Sequence, residues 1–343
     1  MSECDSDEDE YQYFPDSDSD NDYTSYQYDD VDVITKQVMN ATLTRVDSPP
    51  TRPAQPLLPT ISQHPLGLIN KNNWCFLNAP IQVLAHIPEL RNQQKEHANA
   101  TGIASDFTKL ARDLHNSSKN TKCVDHSEFV AKCAQDVVSF KSLHGGLNHV
   151  GTTLLLAQED CYEFLMQLRD KIACLSLFEG SMVSIRTCNS CPEVSLQQEK
   201  AHEIFLSFEP GNTAPRDTIN AALDRYFLRS EDVNLDCTAC LGDTFKQEHE
   251  LKSWGPILTL MLRRFESISS SQQNKIDKFV GFEQYLNMKP YLAQSNQRDD
   301  LYFLYSLFAV IVHQGTSMNS GHYIVYLRDA VCDQWYCMNV SLL

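Results

Sequence analysis

A chain of 343 residues that is 42% hydrophobic can bury a substantial core, and its length suits one large elaborated domain or two to three smaller ones. The formal charge of −17 is unevenly carried: residues 1–60 hold 14 Asp and Glu against 3 Lys and Arg. The remainder is only mildly acidic, which argues against nucleic acid as a partner, and no apolar run approaches the roughly 20 residues of a membrane span.

Residues 1–35 alternate Asp, Ser and Glu with tyrosines ("DSDSDNDYTSYQYDD"), so like-charge repulsion and scarce aliphatics predict disorder. The proline-punctuated "SPPTRPAQPLLPT" extends this into a linker. Residues 1–64 therefore read as an acidic tail and linker, either a solvating segment or one that binds a partner or is phosphorylated, since Ser among acids is a common kinase environment. Order is expected from Pro65. From there to about residue 175, "APIQVLAHIPEL", "IASDFTKLARDLHNSS", "HSEFVAKCAQDV" and "QEDCYEFLMQLRDKIACL" space apolar residues by three and four, the helical pattern. After about residue 176 short β-branched or alternating runs take over: "SMVSIRTC", "HEIFLSFEP", "ILTLMLRRF", "KFVGFEQYLNM", "LYFLYSLFAVIVHQG", "HYIVYLRD" and "QWYCMNV". One helix, "APRDTINAALDRYF", interrupts them. A helical first half and a β-rich second half imply an α+β fold with a site where the halves meet.

The chain has 12 cysteines, and its start, "MSECDSDEDE", is the opposite of a basic targeting segment. Reduced thiols in the cytoplasm or nucleus are expected, serving as metal ligands, nucleophiles or core filler. Cys75 precedes the helical run "FLNAPIQVLAHI", where the macrodipole and unpaired N–H groups favour a thiolate, although most cysteines simply fill cores. Pro80 is expected near the end of the first turn, where a missing N–H costs little. A nucleophilic thiol needs an imidazole and an acceptor to orient it. His322 opens "HYIVYL" and Asn339 closes "QWYCMN", so a hairpin turning at "DAVCDQ" would set the two side by side, in the chain order Cys, His, Asn of papain-like proteases. Separately, "CNSC" supplies Cys188 and Cys191, and "CTAC" supplies Cys237 and Cys240. Two such knuckles can give four thiolates to tetrahedral zinc, here at the tips of extended hairpins; unligated thiols are the alternative. A thioredoxin-like role is disfavoured because neither knuckle follows a strand and opens a long helix.

With these pieces in place, the chain from about residue 66 onward resembles the ubiquitin-specific proteases, a family of papain-like deubiquitinases. "GLINKNNWCFLNAPIQVL" is similar to their cysteine box, Gly-Leu-x-Asn-x-Gly-Asn-Thr-Cys-Phe-x-Asn-x-x-x-Gln-x-Leu. "QEDCYEFLMQL" resembles their Gln-x-Asp-x-x-Glu-Phe-Leu helix, "PILTLMLRRF" their Leu-x-Leu-x-x-Arg-Phe strand, and "HQGTSMNSGHYIVYLRD" with "QWYCMN" their histidine box. The resemblance implies a right-hand architecture over residues 65–343: a helical thumb at about 65–175, zinc-bearing fingers at about 180–250 and a β-rich palm at about 200–343. It implies Cys75 as nucleophile, His322 as base then acid, Asn339 as its orienting partner and Asn70 as the oxyanion-binding amide. Gln158, Asp160, Gly321 and Tyr323 would line the channel for ubiquitin's C-terminal tail. Asp160 as a helix N-terminal acid, Asn70 as a plain turn residue and Tyr323 as strand packing are the competing readings.

The sequence departs from the family at three places. Asn72 stands for a Gly, Val340 for a second acid after the triad, and Trp74 for a Thr beside the nucleophile. An indole there must find a pocket or crowd the channel. Three readings follow: an active deubiquitinase, a weak or inactive ubiquitin-binding homologue, and a protease for a ubiquitin-like modifier.

Overall fold

Eleven consecutive buried residues, "CFLNAPIQVLA", make the helix α1, Cys75–Ala85, the axis of the helical half. The computed structural model describes residues 38–46, 66–71, 73–92, 102–115, 123–136, 148–150, 153–155, 159–208, 216–269, 272–293, 303–315, 320–329 and 333–339. A helix that is apolar all round needs partners on every side. α1 finds them in α2 (Ile103–Asp113), in α4 (Cys161–Lys171) and in strands of the β half; α2 packs in turn on α3 (Ser127–Asp136). Helix α1 starts directly at Cys75, so Pro80 is its sixth residue, about half a turn deeper than the sequence suggested, and the Phe76 carbonyl lacks its usual i+4 donor. Tertiary burial rather than intrinsic propensity holds this helix.

The β half is a seven-stranded sheet. Its strands are β1 (Val38–Val46), β6 (Ile204–Leu206), β9 (Ile257–Leu262), β10 (Tyr285–Asn287), β11 (Leu304–Gln314), β12 (His322–Asp329) and β13 (Gln334–Met338), in the order β13-β12-β11-β1-β9-β6, with β10 also on β11. All pairs are antiparallel except β9 with β6. Period-two alternation sends Tyr323, Val325 and Leu327 into the core shared with α1, and Ile324 and Tyr326 into the core on the opposite face. The core on that opposite face is closed by helix α5, Ile219–Leu228.

One expectation is corrected. Val38–Val46 lies inside the segment read as tail and linker, yet it forms the strand between β11 and β9. "VMNATLTRV" alternates apolar or β-branched residues with polar ones, and a nine-residue strand is easily lost when composition is averaged with acidic and proline-rich neighbours. The rest of residues 1–64, with the partner expected for the acidic tail, lies outside the described residues. So do Asn72, Gln158 and Val340.

Away from the sheet, β7 (Glu231–Asn234), β8 (Thr244–Trp254), β4 (Gly180–Cys188) and β5 (Val194–Ala201) form a four-stranded antiparallel ribbon in that order. Arg169 ties α4 to the segment joining this ribbon to the main sheet. It is 1% exposed, pairs with Glu203 Oε2 at 2.7 Å and lies over the Phe178 ring, while Tyr162 donates to the other Glu203 oxygen at 2.7 Å. Arg169→Met should destabilise the fold by about 3–5 kcal/mol, because a nearly buried carboxylate would lose its counter-charge. Urea denaturation checks this, and an unchanged midpoint would refute it.

Candidate active site

α1 begins without a side-chain cap. Trp74 occupies the N-cap position in a helical conformation; its carbonyl accepts from Leu77 N and Asn78 N, but its side chain makes no capping hydrogen bond, where a Thr could have done so. The N–H groups of Cys75 and Phe76 stand beside the Cys75 sulfur, as does the backbone N–H of Tyr323. Burial nevertheless raises the Cys75 thiol above its ordinary pKa, outweighing these three donors. The helix terminus does lower the thiol pKa, but desolvation of a residue only 4% exposed exceeds it.

His322 is the residue before Tyr323, at the start of β12. Its Nε2 lies 2.9 Å from Asn339 Oδ1, across the β12–β13 hairpin. An amide oxygen can only accept, so Nε2 carries the proton and Nδ1 is left as the basic nitrogen of the neutral ring. The structure thus brings His322 and Asn339 into contact and sets Cys75 against the next residue of the same strand.

Asn70 is 2% exposed and follows Ile69, whose N–H donates to Val124 O at 3.2 Å. Two polar side chains on the otherwise apolar α1 hold the chain that leads to it. Asn78 Nδ2 donates to Ile69 O at 3.3 Å and Gln82 Nε2 to Leu66 O at 3.1 Å. Both stand at positions of the cysteine box but were given no role in the sequence reading; a polar pair at i and i+4 on a fully buried helix was the signal. Asp160 is the N-cap of α4, its Oδ1 accepting from Tyr162 N at 2.6 Å and Glu163 N at 3.2 Å, so the helix-capping reading holds. Its carboxylate is exposed, which leaves room for a second contact.

Gly321 is required by close approach. A Cβ there would stand 2.3 Å from both Gln314 O and His313 Nε2. Gly321→Ala should displace the start of β12 and cost about 10²-fold in kcat/KM, checked by steady-state kinetics, since misplacing a catalytic group by about 1 Å costs this much. The imidazole beneath, His313, was also missed. It is 3% exposed and packs on Tyr323 with ring centroids 4.7 Å apart. Burial first, and then the Lys275 ammonium that hydrogen-bonds its Nδ1 at 3.4 Å, push its pKa down to about 4. Tyr323 itself is buried, its phenol pushed well up by desolvation. Both readings of Tyr323, strand packing and channel wall, are compatible with this position.

The cysteine knuckles meet at the far end of the ribbon. Cys188 ends β4, Cys191 sits in the turn to β5, and Cys237 and Cys240 sit in the loop between β7 and β8. Cys188 and Cys240 sulfurs are 3.7 Å apart, Cys191 and Cys237 likewise, and all four lie within 4.8 Å of one another. Zinc–sulfur bonds of about 2.3 Å at tetrahedral angles separate sulfurs by about 3.8 Å, so the donor set fits a metal ion of that kind. Backbone N–H groups of Ser190 and Gly242 donate to Cys188 and Cys240 sulfurs at 3.4 and 3.3 Å, as thiolate ligands require.

A sequence profile for the family described as "Ubiquitin carboxyl-terminal hydrolase" matches residues 66–342. The human ubiquitin carboxyl-terminal hydrolase 17-like protein 15 is 28% identical over 312 residues, an alignment covering 82% of this chain and 51% of that protein. Arabidopsis thaliana ubiquitin carboxyl-terminal hydrolase 26 is 26% identical over 289 residues, covering 79% of this chain and 25% of that protein. The chain therefore spans about half the length of these relatives or less. Among solved structures, one described as the SAGA Ubp8/Sgf11/Sus1/Sgf73 DUB module bound to ubiquitin aldehyde superposes with a TM-score of 0.63 at 21% identity, covering 81% of this chain and 64% of that one. That likeness is one of fold: helical thumb, palm sheet and finger ribbon. With the profile covering most of the sequence, the chain belongs to the ubiquitin carboxyl-terminal hydrolase family and has the fold of its ubiquitin-specific protease branch.

Proposed function

We propose that this chain is a deubiquitinase that hydrolyses the peptide or isopeptide bond at the C-terminal glycine of ubiquitin with Cys75, His322 and Asn339. The observation that carries the reading is one hairpin end: His322 is bonded to Asn339 at 2.9 Å, and the adjacent Tyr323 N–H stands at the Cys75 sulfur. His322 Nδ1 takes the thiol proton as sulfur attacks the glycine carbonyl carbon. The oxyanion accepts hydrogen bonds from the Asn70 amide and the Cys75 N–H, donors that each contribute about 10²–10³ in rate. The imidazolium then protonates the leaving amine, and water, activated by the same imidazole, attacks the thioester and frees the ubiquitin carboxylate. Asn339 keeps the imidazole in the tautomer that leaves Nδ1 basic.

Gly321 and Tyr323 would flank the channel for the diglycine end, and Gln158 and Asp160 would meet the basic tail before it, where opposite charge favours docking. Zinc, when bound to Cys188, Cys191, Cys237 and Cys240, would cross-link the fingertips and set the ribbon against ubiquitin's body. Cys75, Cys161, Cys174 and Cys337 lie outside disulfides, which suits a reducing cytoplasm or nucleus. Trp74 was the ground for an inactive, ubiquitin-binding homologue; its ring is 1% exposed and packed edge-on to His126, which supports the active reading.

The test is ubiquitin carrying a C-terminal electrophile. A covalent adduct that disappears in Cys75→Ala is expected; binding without adduct would favour the scaffold. Adduct formation only with a ubiquitin-like modifier would move the substrate class.

A further inference from the structure

Both neighbours of Asn70 in the chain are held by side chains that converge on Trp74. Ahead of Asn70, the Ile69 carbonyl accepts from Asn78 Nδ2, and Asn78 Oδ1 accepts from His126 Nε2 at 2.7 Å. The His126 ring meets the Trp74 indole edge to face at 5.5 Å. After Asn70, Lys71 places its ammonium 5.9 Å from the centre of the same indole while donating to Asp125 at 3.0 Å and Ser127 at 2.7 Å. Asp125 also accepts from Ser127 N at 3.0 Å, fixing the start of α3 against which the loop lies. Trp74, His126, Asn78 and Asn70 are all at most 3% exposed, so the network is built in the core rather than on the surface.

We propose that Trp74 is a positioning residue for Asn70: its ring, wedged on His126 and roofed by Lys71, sets the backbone on either side of the oxyanion-binding amide. The inference rests on the deubiquitinase reading. It assigns a purpose to the residue that departs most from the family's cysteine box. A Thr at this place would hold the turn by a hydroxyl cap. The indole cannot cap, so it holds the turn by filling a pocket. The cation over its face and the imidazole at its edge are favourable partners for an aromatic ring. Because Trp74 acts through Asn70, its loss should lower kcat and leave KM nearly unchanged, since an oxyanion hole serves the transition state and not the bound substrate.

A double-mutant cycle on ubiquitin with a fluorogenic C-terminal amide tests this. Trp74→Ala is expected to lower kcat by about 10-fold or more in the wild-type background and by less than about 2-fold in the Asn70→Ala background, with KM within about 2-fold and Trp74→Phe largely restored. Equal losses in the two backgrounds, a loss confined to KM, or a gain in kcat would overturn the proposal. Should Trp74→Ala fail to fold, Lys71→Met keeps the ring in place. It should lower kcat by about 3-fold with the same dependence on Asn70, and an additive effect would overturn the proposal equally. Absence of any turnover by the wild-type protein would defeat the deubiquitinase reading and this inference with it, whereas turnover insensitive to Trp74 defeats this inference alone.

Discussion

Cys75→Ala is expected to lower hydrolysis of ubiquitin amides by about 10⁴-fold or more, while ubiquitin binding survives. On the proposed reading the Cys75 sulfur forms the acyl intermediate, and an alanine methyl offers no nucleophile in its place. Asn339→Ala should cost less, about 10²-fold, because the imidazole remains but loses the partner that orients it. The pH dependence has a definite sign. Burial raises the thiol pKa, so the free protein holds Cys75 largely as neutral thiol at pH 7. Alkylation of Cys75 by iodoacetamide should therefore keep rising with pH through 8 and beyond, as the thiolate fraction grows. A plateau already reached by about pH 6 would show a preformed thiolate–imidazolium pair and contradict the burial argument.

Loss of the finger metal should have the second-largest effect. If the four thiolates hold zinc as proposed, Cys240→Ser or prolonged chelation would remove a cross-link between two hairpin tips that share only a small apolar cluster. The apolar cluster there is Phe245 and Val233 with the cysteines themselves, and β5 is exposed along nearly its whole length. Structural zinc sites contribute about 10–16 kcal/mol of apparent binding energy in small domains, much of it folding energy. The purified protein should carry about one zinc per chain by elemental analysis, and chelation should lower its melting temperature by several degrees and weaken ubiquitin binding. Metal-free protein with unchanged melting and affinity would remove the zinc claim and leave the Cys75 argument standing.

Much of this architecture was readable before any coordinates. Each helical run of the first half became a helix, and "HYIVYL" and "QWYCMN" became the hairpin that joins His322 to Asn339. These elements are buried on at least one face, so their apolar spacing carries the signal. Extended hairpins were expected at the cysteine knuckles, but β5, β7 and β8 were not among the runs read as strands. Strands β5 and β7 are largely exposed, and the buried residues of β8, Phe245, Leu251 and Trp254, do not recur at a period of two. Val38–Val46 escaped for the opposite reason: a short strand sandwiched in a sheet sits between long stretches of unlike composition.

By itself, the sequence determined the chemistry on offer: a thiol, an imidazole and an amide in papain order, two cysteine knuckles, and a helix-then-strand order that brings early and late residues together. Residue type and local periodicity are properties of the chain alone. Tertiary structure decided the rest, because desolvation and neighbours depend on segments far apart in sequence. Burial, which no window of sequence reports, set the sign of the Cys75 shift against the helix terminus. The fate of Trp74 turned on His126, and the hold on the Asn70 loop on Lys71 meeting Asp125, 54 residues away.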